Sequence, residues 1–192
     1  NCINLIESLG IKKIIINTFY LKDKIEDFLR IKRFNLDIKI INDGKVILNT
    51  GGGVLNMINF SDESHFLIFN PDTIWNKNYI KYIKDMEKFY FTRKIKNILL
   101  LVSQNLSFDK GLKGDFNLNK NKIKKDDQND LIYTGCQIIS RDLFRNHLIS
   151  NFSISEIWNQ LISKKELYGY ESLESFYHLT NLDVYKELLK NR

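Results

Sequence analysis

Proline occurs once in 192 residues, cysteine twice and histidine three times. Each scarcity closes off a class of protein. Cys2 and Cys136 lie far apart with no CxxC pair, which argues against a disulfide scaffold. His65, His147 and His178 form no HxxxH or related pattern of the kind that builds a structural zinc site. Apolar runs are short: the longest is ILLLV at residues 98–102, far below the roughly 18 residues that cross a bilayer. The opening residues NCINLIE lack the basic start and long apolar centre of a secretory signal, so a cytoplasmic location is expected. Interleaved aromatics are missing from the charge run Lys120, Lys122, Lys124 and Lys125, which therefore reads as a solvated surface and not as a nucleic-acid patch.

What is present fits one globular domain spanning 1–192. Hydrophobic residues make up 43% and charged residues 27%, enough apolar content for a core and enough charge for solubility. The net charge of +6 favours phosphate-bearing ligands without naming one.

Helical and strand periods alternate along the chain. Leu5, Ile6 and Leu9 recur at helical spacing before Gly10, and KKIIIN at 12–17 is a β-branched strand. Ile25, Phe28 and Leu29 share one face of a helix over 23–30, and LDIKII at 36–41 is a second strand. A glycine turn at 50–53 then feeds a short helix. HFLIF at 65–69 is a buried strand ending in Asn70-Pro71-Asp72, where the proline stiffens the turn and aims Asp72 out of the sheet. A helix over 78–91 and a strand over 97–103 follow. The polar stretch 108–130 predicts a β-hairpin excursion, and LIYTGCQIIS at 131–140 predicts a strand in which Gly135 marks a bulge or a close backbone approach. Ser153 and Glu156 form a capping box for the helix carrying Ile157, Trp158 and Leu161. A brief alternation over 173–179 precedes a last helix over 182–190. This rhythm predicts an α/β fold with a mainly parallel, mixed sheet covered by helices on both faces.

Three places carry candidate chemistry. Glycines 51, 52 and 53 ahead of a helix either form a tight connection or let a nucleotide approach the backbone. Asp72 lies where open α/β sheets present ligand-facing groups, and it reads equally as a side-chain cap of its own turn. Gly114 and Asp115 sit in the hairpin region, either solvated or placed for sugar hydroxyls. Ser and Cys nucleophiles have no evident His and acid partners, so a hydrolase triad is not supported.

In order and spacing, LIESLGIKKIIIN (5–17), TFYLKDKIEDFL (18–29), LNTGGGVLN (48–56), FNPDTIW (69–75), GDFNL (114–118), YTGCQIIS (133–140), FSISEIW (152–158), LYGY (167–170) and FYHLTNLDVY (176–185) resemble the nucleotidyltransferases that join a sugar 1-phosphate to a nucleoside triphosphate. The NPDTIW and YTGCQI forms are most similar to the N-acetylmuramate 1-phosphate uridylyltransferase branch, with mannose-1-phosphate guanylyltransferase-like proteins next. The resemblance implies a nucleotide-diphospho-sugar transferase (Rossmann-like) fold and a Mg²⁺-dependent reaction that releases pyrophosphate. UTP is implied ahead of GTP, and the product is an activated sugar for the cell envelope. By motif, Gly51, Gly52, Gly53 and Asn70 would face the nucleotide and Gly114, Asp115, Thr134 and Gly135 the sugar. Asp72 would be the catalytic metal ligand, with His178 in the position of a second ligand.

The sequence also departs from that pattern. The family's loop of the form LxAGxGTRxxPLTxxxPKP has no counterpart, so the resemblance implies an amino-terminally incomplete domain, without the first strand and the grip on the triphosphate. A sheet without that strand is expected to show a gap or an unpaired edge. His178 stands where the family has an acid, Thr180-Asn181-Leu182 replaces its Gly-Thr-Pro turn, and Asn49 also replaces an acid. These changes leave a non-catalytic sugar-nucleotide-binding protein as the rival expectation.

Overall fold

The computed structural model describes residues 1–190. Its elements run α1 (Cys2–Ser8), β1 (Lys13–Thr18), α2 (Lys22–Lys32), β2 (Asp37–Asn42), α3 (Asn49–Ile58), β3 (His65–Phe69), α4 (Tyr79–Arg93), β4 (Asn97–Ser103), β5 (Asn117–Asn119), β6 (Lys122–Lys124), β7 (Leu131–Ser140), α5 (Ile154–Ser163), β8 (Tyr168–Ser172) and α6 (Leu182–Lys190). The α/β alternation is as expected, including the capping box of α5, where Ser153 and Glu156 each satisfy a backbone amide of the other's turn.

The strands form two sheets. One is the parallel pair β1-β2, and the other is six-stranded in the order β3-β7-β4-β8-β6-β5. β4 and β8 pair in parallel, while β7 is antiparallel to both β3 and β4, so β3, β4 and β8 point the same way with one reversed strand inserted. β1 and β3 are each paired on one side only. The short β5-β6 hairpin occupies the expected excursion.

β4 explains why helices cover both faces. Ile98 through Val102 are all 0% exposed, which identifies the central strand. Its successive side chains point to opposite faces: Leu99 and Leu101 join the core under α3 and α5 with Val54, Ile58, Ile157 and Leu161, whereas Ile98 and Leu100 join the core under α1 and α4 with Leu5, Ile83 and Met86. Burial of this kind contributes about 1.5–3 kcal/mol per large aliphatic side chain, so these two half-cores hold the sheet that positions the loops. No helix among the described residues is long and apolar enough to cross a membrane.

Three local expectations change. Glycines 51–53 lie inside α3, not in a turn ahead of it. Residues 173–179 form no strand and instead make single bridges, Ser107 with Phe176 and Thr73 with His178. β8, which the periodicity did not predict, pairs with β4; its Gly169 sits where a Cβ would lie 2.6 Å from the Leu118 side chain and 2.8 Å from that of Leu101, a close fit to distant residues.

Candidate active site

The carboxyl ends of β3, β4 and β8 share one edge with the amino-terminal half of β7. At the end of β3 the chain is tied back to β7: the Asn70 N–H donates to the Gly135 carbonyl at 2.7 Å, and the Thr73 hydroxyl donates to the Thr134 carbonyl at 2.8 Å. Gly135 has φ +86°, a conformation costly for any residue with a Cβ, and an added Cβ would lie 2.7 Å from Asn70. The β4-β7 register shifts between Leu99 and Leu101, opposite this glycine, so the bulge and the close approach predicted from the sequence both occur here. Asn70 and Gly135 thus form one packed unit. The Thr134 hydroxyl turns inward and donates to the Leu100 carbonyl at 2.8 Å, which assigns that side chain to holding the bulge.

A second crosslink brings in the 176–180 segment. The Ile74 N–H donates to the Tyr177 carbonyl and the Leu179 N–H to the Asp72 carbonyl, both at 2.8 Å. This short antiparallel ladder puts His178 beside Asp72, with Nδ1 3.7 Å from Oδ1. The Asp72 side chain is 48% exposed and that of His178 26%, so the carboxylate faces solvent and the imidazole is tucked behind it. The imidazole lies flat on Phe176, 5.9 Å between centroids at 7°, which fixes its plane. At 3.7 Å the pair is not hydrogen-bonded, and His178 Nδ1 is buried with no partner. Thr180 extends the cluster by donating to Asp109 at 2.8 Å.

Asp115 reaches the same strand from the hairpin side. Its Oδ2 accepts the Tyr133 N–H at 2.8 Å, one residue before Thr134. Desolvation raises its pKa above the ordinary carboxylate value, opposed by that N–H and by Lys125. Gly114 is required by the chain itself, since a Cβ there would lie 2.0 Å from the Asn129 carbonyl. Tyr133 supplies a feature the sequence did not flag: a buried hydroxyl beside Gln137 but short of good hydrogen-bond geometry, its pKa pushed far up by burial, with the ring edge-on to Trp158.

The glycines of α3 have different partners. The Gly51 and Gly52 amides both donate to the Phe152 carbonyl, at 2.9 and 3.2 Å. A Cβ on Gly51 would meet the Phe152 ring at 2.4 Å, and one on Gly52 would meet the Ser150 carbonyl at 2.0 Å. Gly53 leaves room for Asn17, whose Nδ2 would be 2.9 Å from a Cβ and which donates to Asp43 at 2.8 Å. Asp43 also accepts from Asn56 at 3.0 Å. This Asn17-Asp43-Asn56 cluster went unnoticed in the sequence; its only local signal is a polar residue near the carboxyl end of each of two strands, Asn17 in β1 and Asp43 just after β2.

A Mg²⁺ ion takes oxygen ligands, commonly one or two carboxylates plus substrate phosphates. Asp72, exposed at the sheet edge, fits that use as a single protein ligand. His178 offers nitrogen, and among the described residues no group of three or more His, Cys, Asp or Glu could hold a metal.

No family profile and no curated protein matches the chain. Solved structures do. HddC from Yersinia pseudotuberculosis aligns over 97% of this chain and 81% of its own, with TM-score 0.72 and 18% identity, and its complex with GMP-PN gives 0.75 and 19% over 98% and 82%. A UDP-glucose pyrophosphorylase complexed with UDP-glucose aligns over 100% of this chain and 86% of its own, with TM-score 0.73 and 16% identity. A putative glucose-1-phosphate thymidylyltransferase from Bacillus anthracis, in complex with a sucrose, gives 0.75 and 14% over 95% and 77%. At these identities the likeness is one of fold: the chain has the nucleotide-diphospho-sugar transferase fold, a Rossmann-like α/β arrangement.

Proposed function

We propose that this protein is a sugar-1-phosphate nucleotidyltransferase, transferring a nucleotidyl group from a nucleoside triphosphate to a sugar 1-phosphate with release of pyrophosphate. The observation that carries the reading is the convergence at one sheet edge. Asn70 and Gly135 are packed as a unit, Asp72 faces solvent beside them with its carboxylate half exposed, and the chain's fold is that of proteins described as a pyrophosphorylase and a putative thymidylyltransferase. Ligands of open α/β sheets bind outside the carboxyl ends of the strands, which is where this cluster lies.

In this reading Asp72 holds a divalent cation, Mg²⁺ in the expectation from the motifs, which when bound would neutralise phosphate charge. The chain's own groups do the positioning. Asn70, fixed by the Gly135 carbonyl, borders the nucleotide. The Asp115 carboxylate, oriented by the Tyr133 N–H, accepts sugar hydroxyls, while Gly114 and the Gly135 bulge keep the sugar side free of side chains. Catalysis of this type is mostly orientation and charge stabilisation, worth several powers of ten without covalent chemistry by the protein. The NPDTIW and YTGCQI motifs favour a uridylyl donor and a muramate or hexose 1-phosphate, with a guanylyl donor and mannose 1-phosphate as the alternative. His178 in place of an acid favours the rival reading of a sugar-nucleotide-binding protein without turnover.

Pyrophosphate release decides between them. The full gene product is assayed with UTP or GTP against N-acetylmuramate, glucose and mannose 1-phosphates in the presence of Mg²⁺ or Mn²⁺. Release with at least one pair, falling about 100-fold or more in Asp72→Asn, supports the transferase. Binding of nucleotide sugars with no release supports the non-catalytic protein, and neither binding nor release removes both.

A further inference from the structure

Asn1 is the residue ahead of α1, and asparagine in that place usually caps its own helix by accepting a first-turn N–H. Here its side chain makes no such bond. It turns instead to Trp75, 74 residues further on: Nδ2 donates to the Trp75 carbonyl at 2.8 Å, and Oδ1 accepts the Trp75 N–H at 2.6 Å. One amide side chain thus satisfies both backbone groups of a residue that is 3% exposed. Trp75 lies three residues beyond Asp72, and a row of bonds holds the chain between them: Leu179 N–H to the Asp72 carbonyl, Thr73 hydroxyl to the Thr134 carbonyl, Ile74 N–H to the Tyr177 carbonyl. Asn1 closes the end of that row. Burial pushes the pKa of the Cys2 thiol up to about 11, and the Asp72 charge adds to the rise, so the start of α1 lies within electrostatic reach of the site.

We propose that Asn1 is a positioning residue for the Asp72 site. By bonding both backbone groups of Trp75 it holds residues 72–75 against the 177–179 segment and fixes the direction of the Asp72 carboxylate. Without the Asn1 amide, the N–H and the carbonyl of a buried residue are left unpaired, which is costly until both reach water. They reach it by outward movement of residues 73–75, which loosens first the Ile74–Tyr177 bond and then the Leu179–Asp72 bond. The proposal rests on the reading of this edge as a cation-assisted transfer site, and adds to it a residue ahead of α1 that touches neither ion nor substrate.

The first arm of the test follows amide hydrogen exchange in the full gene product, free of ions and substrates. In the wild type the Ile74, Trp75 and Leu179 amides are slow. Asn1→Ala speeds all three about tenfold or more, while Asn70, tied to Gly135 at the other end of the turn, stays slow and the melting temperature falls by less than about 5 °C. Asn1→Asp keeps the acceptor for the Trp75 N–H, lacks the donor, and is intermediate; it carries the same comparison if Asn1→Ala does not fold. The second arm reads the Mg²⁺ dependence of pyrophosphate release. Asn1→Ala raises the half-saturating Mg²⁺ concentration about fivefold or more at an unchanged KM for the sugar phosphate, a shift that loss of folded protein would not produce. Fast exchange of Trp75 in the wild type, faster exchange confined to Trp75 in the variant, or release at an unchanged Mg²⁺ requirement would each overturn the proposal. Loosening of all three amides in a protein that releases no pyrophosphate would remove the transferase reading and leave the Asn1 clamp standing.

Discussion

Helix α3 and the turn after β3 use their polar groups in opposite ways. In α3 the first-turn amides of Gly51 and Gly52 are bonded to Phe152, and the helix is gripped further along by Asp43 through Asn56. Its carboxyl end is closed by Arg141, whose guanidinium donates to the carbonyls of Ile58, Ser61 and Glu63. After β3 the backbone is equally well tied, to Gly135 and to Tyr177, yet the Asp72 carboxylate and the His178 nitrogen remain without hydrogen-bond partners. In α3 the lack of side chains at Gly51 and Gly52 is used by the Phe152 ring and the Ser150 carbonyl. A rigid backbone that holds an exposed carboxylate at a sheet edge is the arrangement on which the proposed ligand site rests.

Breaking the packed half of this comparison has the largest effect. Gly52→Ala places a Cβ 2.0 Å from a backbone carbonyl that cannot swing aside, and should cost about 3 kcal/mol or leave the chain unfolded, read by thermal melting. Gly53→Ala meets the end of the Asn17 side chain instead and should cost about 1 kcal/mol or less, a contrast that a ligand-contact role for both glycines would not produce. Arg141→Gln leaves the carbonyls at the end of α3 short of donors and should cost about 2 kcal/mol in denaturant unfolding. Ser153→Ala removes the cap of α5 beside the segment that receives α3, at about 1 kcal/mol.

Effects on stability fade at the other end of the comparison. Asp72→Asn, at an exposed position, should change stability by less than about 0.5 kcal/mol while abolishing ion-dependent activity. Asp115 gives a pH signature. Its raised pKa means the folded state binds the proton more tightly than the unfolded chain, so the ionised carboxylate costs stability near neutrality and the cost fades as pH falls through its folded value. Asp115→Asn, which still accepts the Tyr133 N–H, should therefore be at least as stable as wild type at pH 7, with the difference vanishing in acid.

Much of the fold could be read locally because its causes are local. The apolar run of β4, the Ser153 capping box and the Gly135 bulge each follow from neighbouring residues. β8 could not, since Gly169 is explained only by Leu101 and Leu118 from other strands. The reversed direction of β7 has no signature in periodicity at all. At the site, Asp72 and Gly135 could be singled out from proline, strand end and glycine, whereas the meeting of Asp72 with His178, implied only by the motif resemblance, is made by the Thr73 bridge. The place of Gly51 and Gly52 inside α3 was hidden for the same reason: the Phe152 ring and the Ser150 carbonyl that crowd them lie some hundred residues further on.

The most direct measurement is a titration of the ¹⁵N-labelled chain with a UDP-hexose and a GDP-hexose in the presence of a divalent ion, followed by amide chemical shifts. The expected result is a change centred on Asn70, Asp72, Thr134, Gly135 and His178, with the Gly51 and Gly52 amides, already bonded to Phe152, nearly still. Shifts confined to α3 and its neighbours, or none with either ligand, would contradict the assignment of the ligand site to the end of β3.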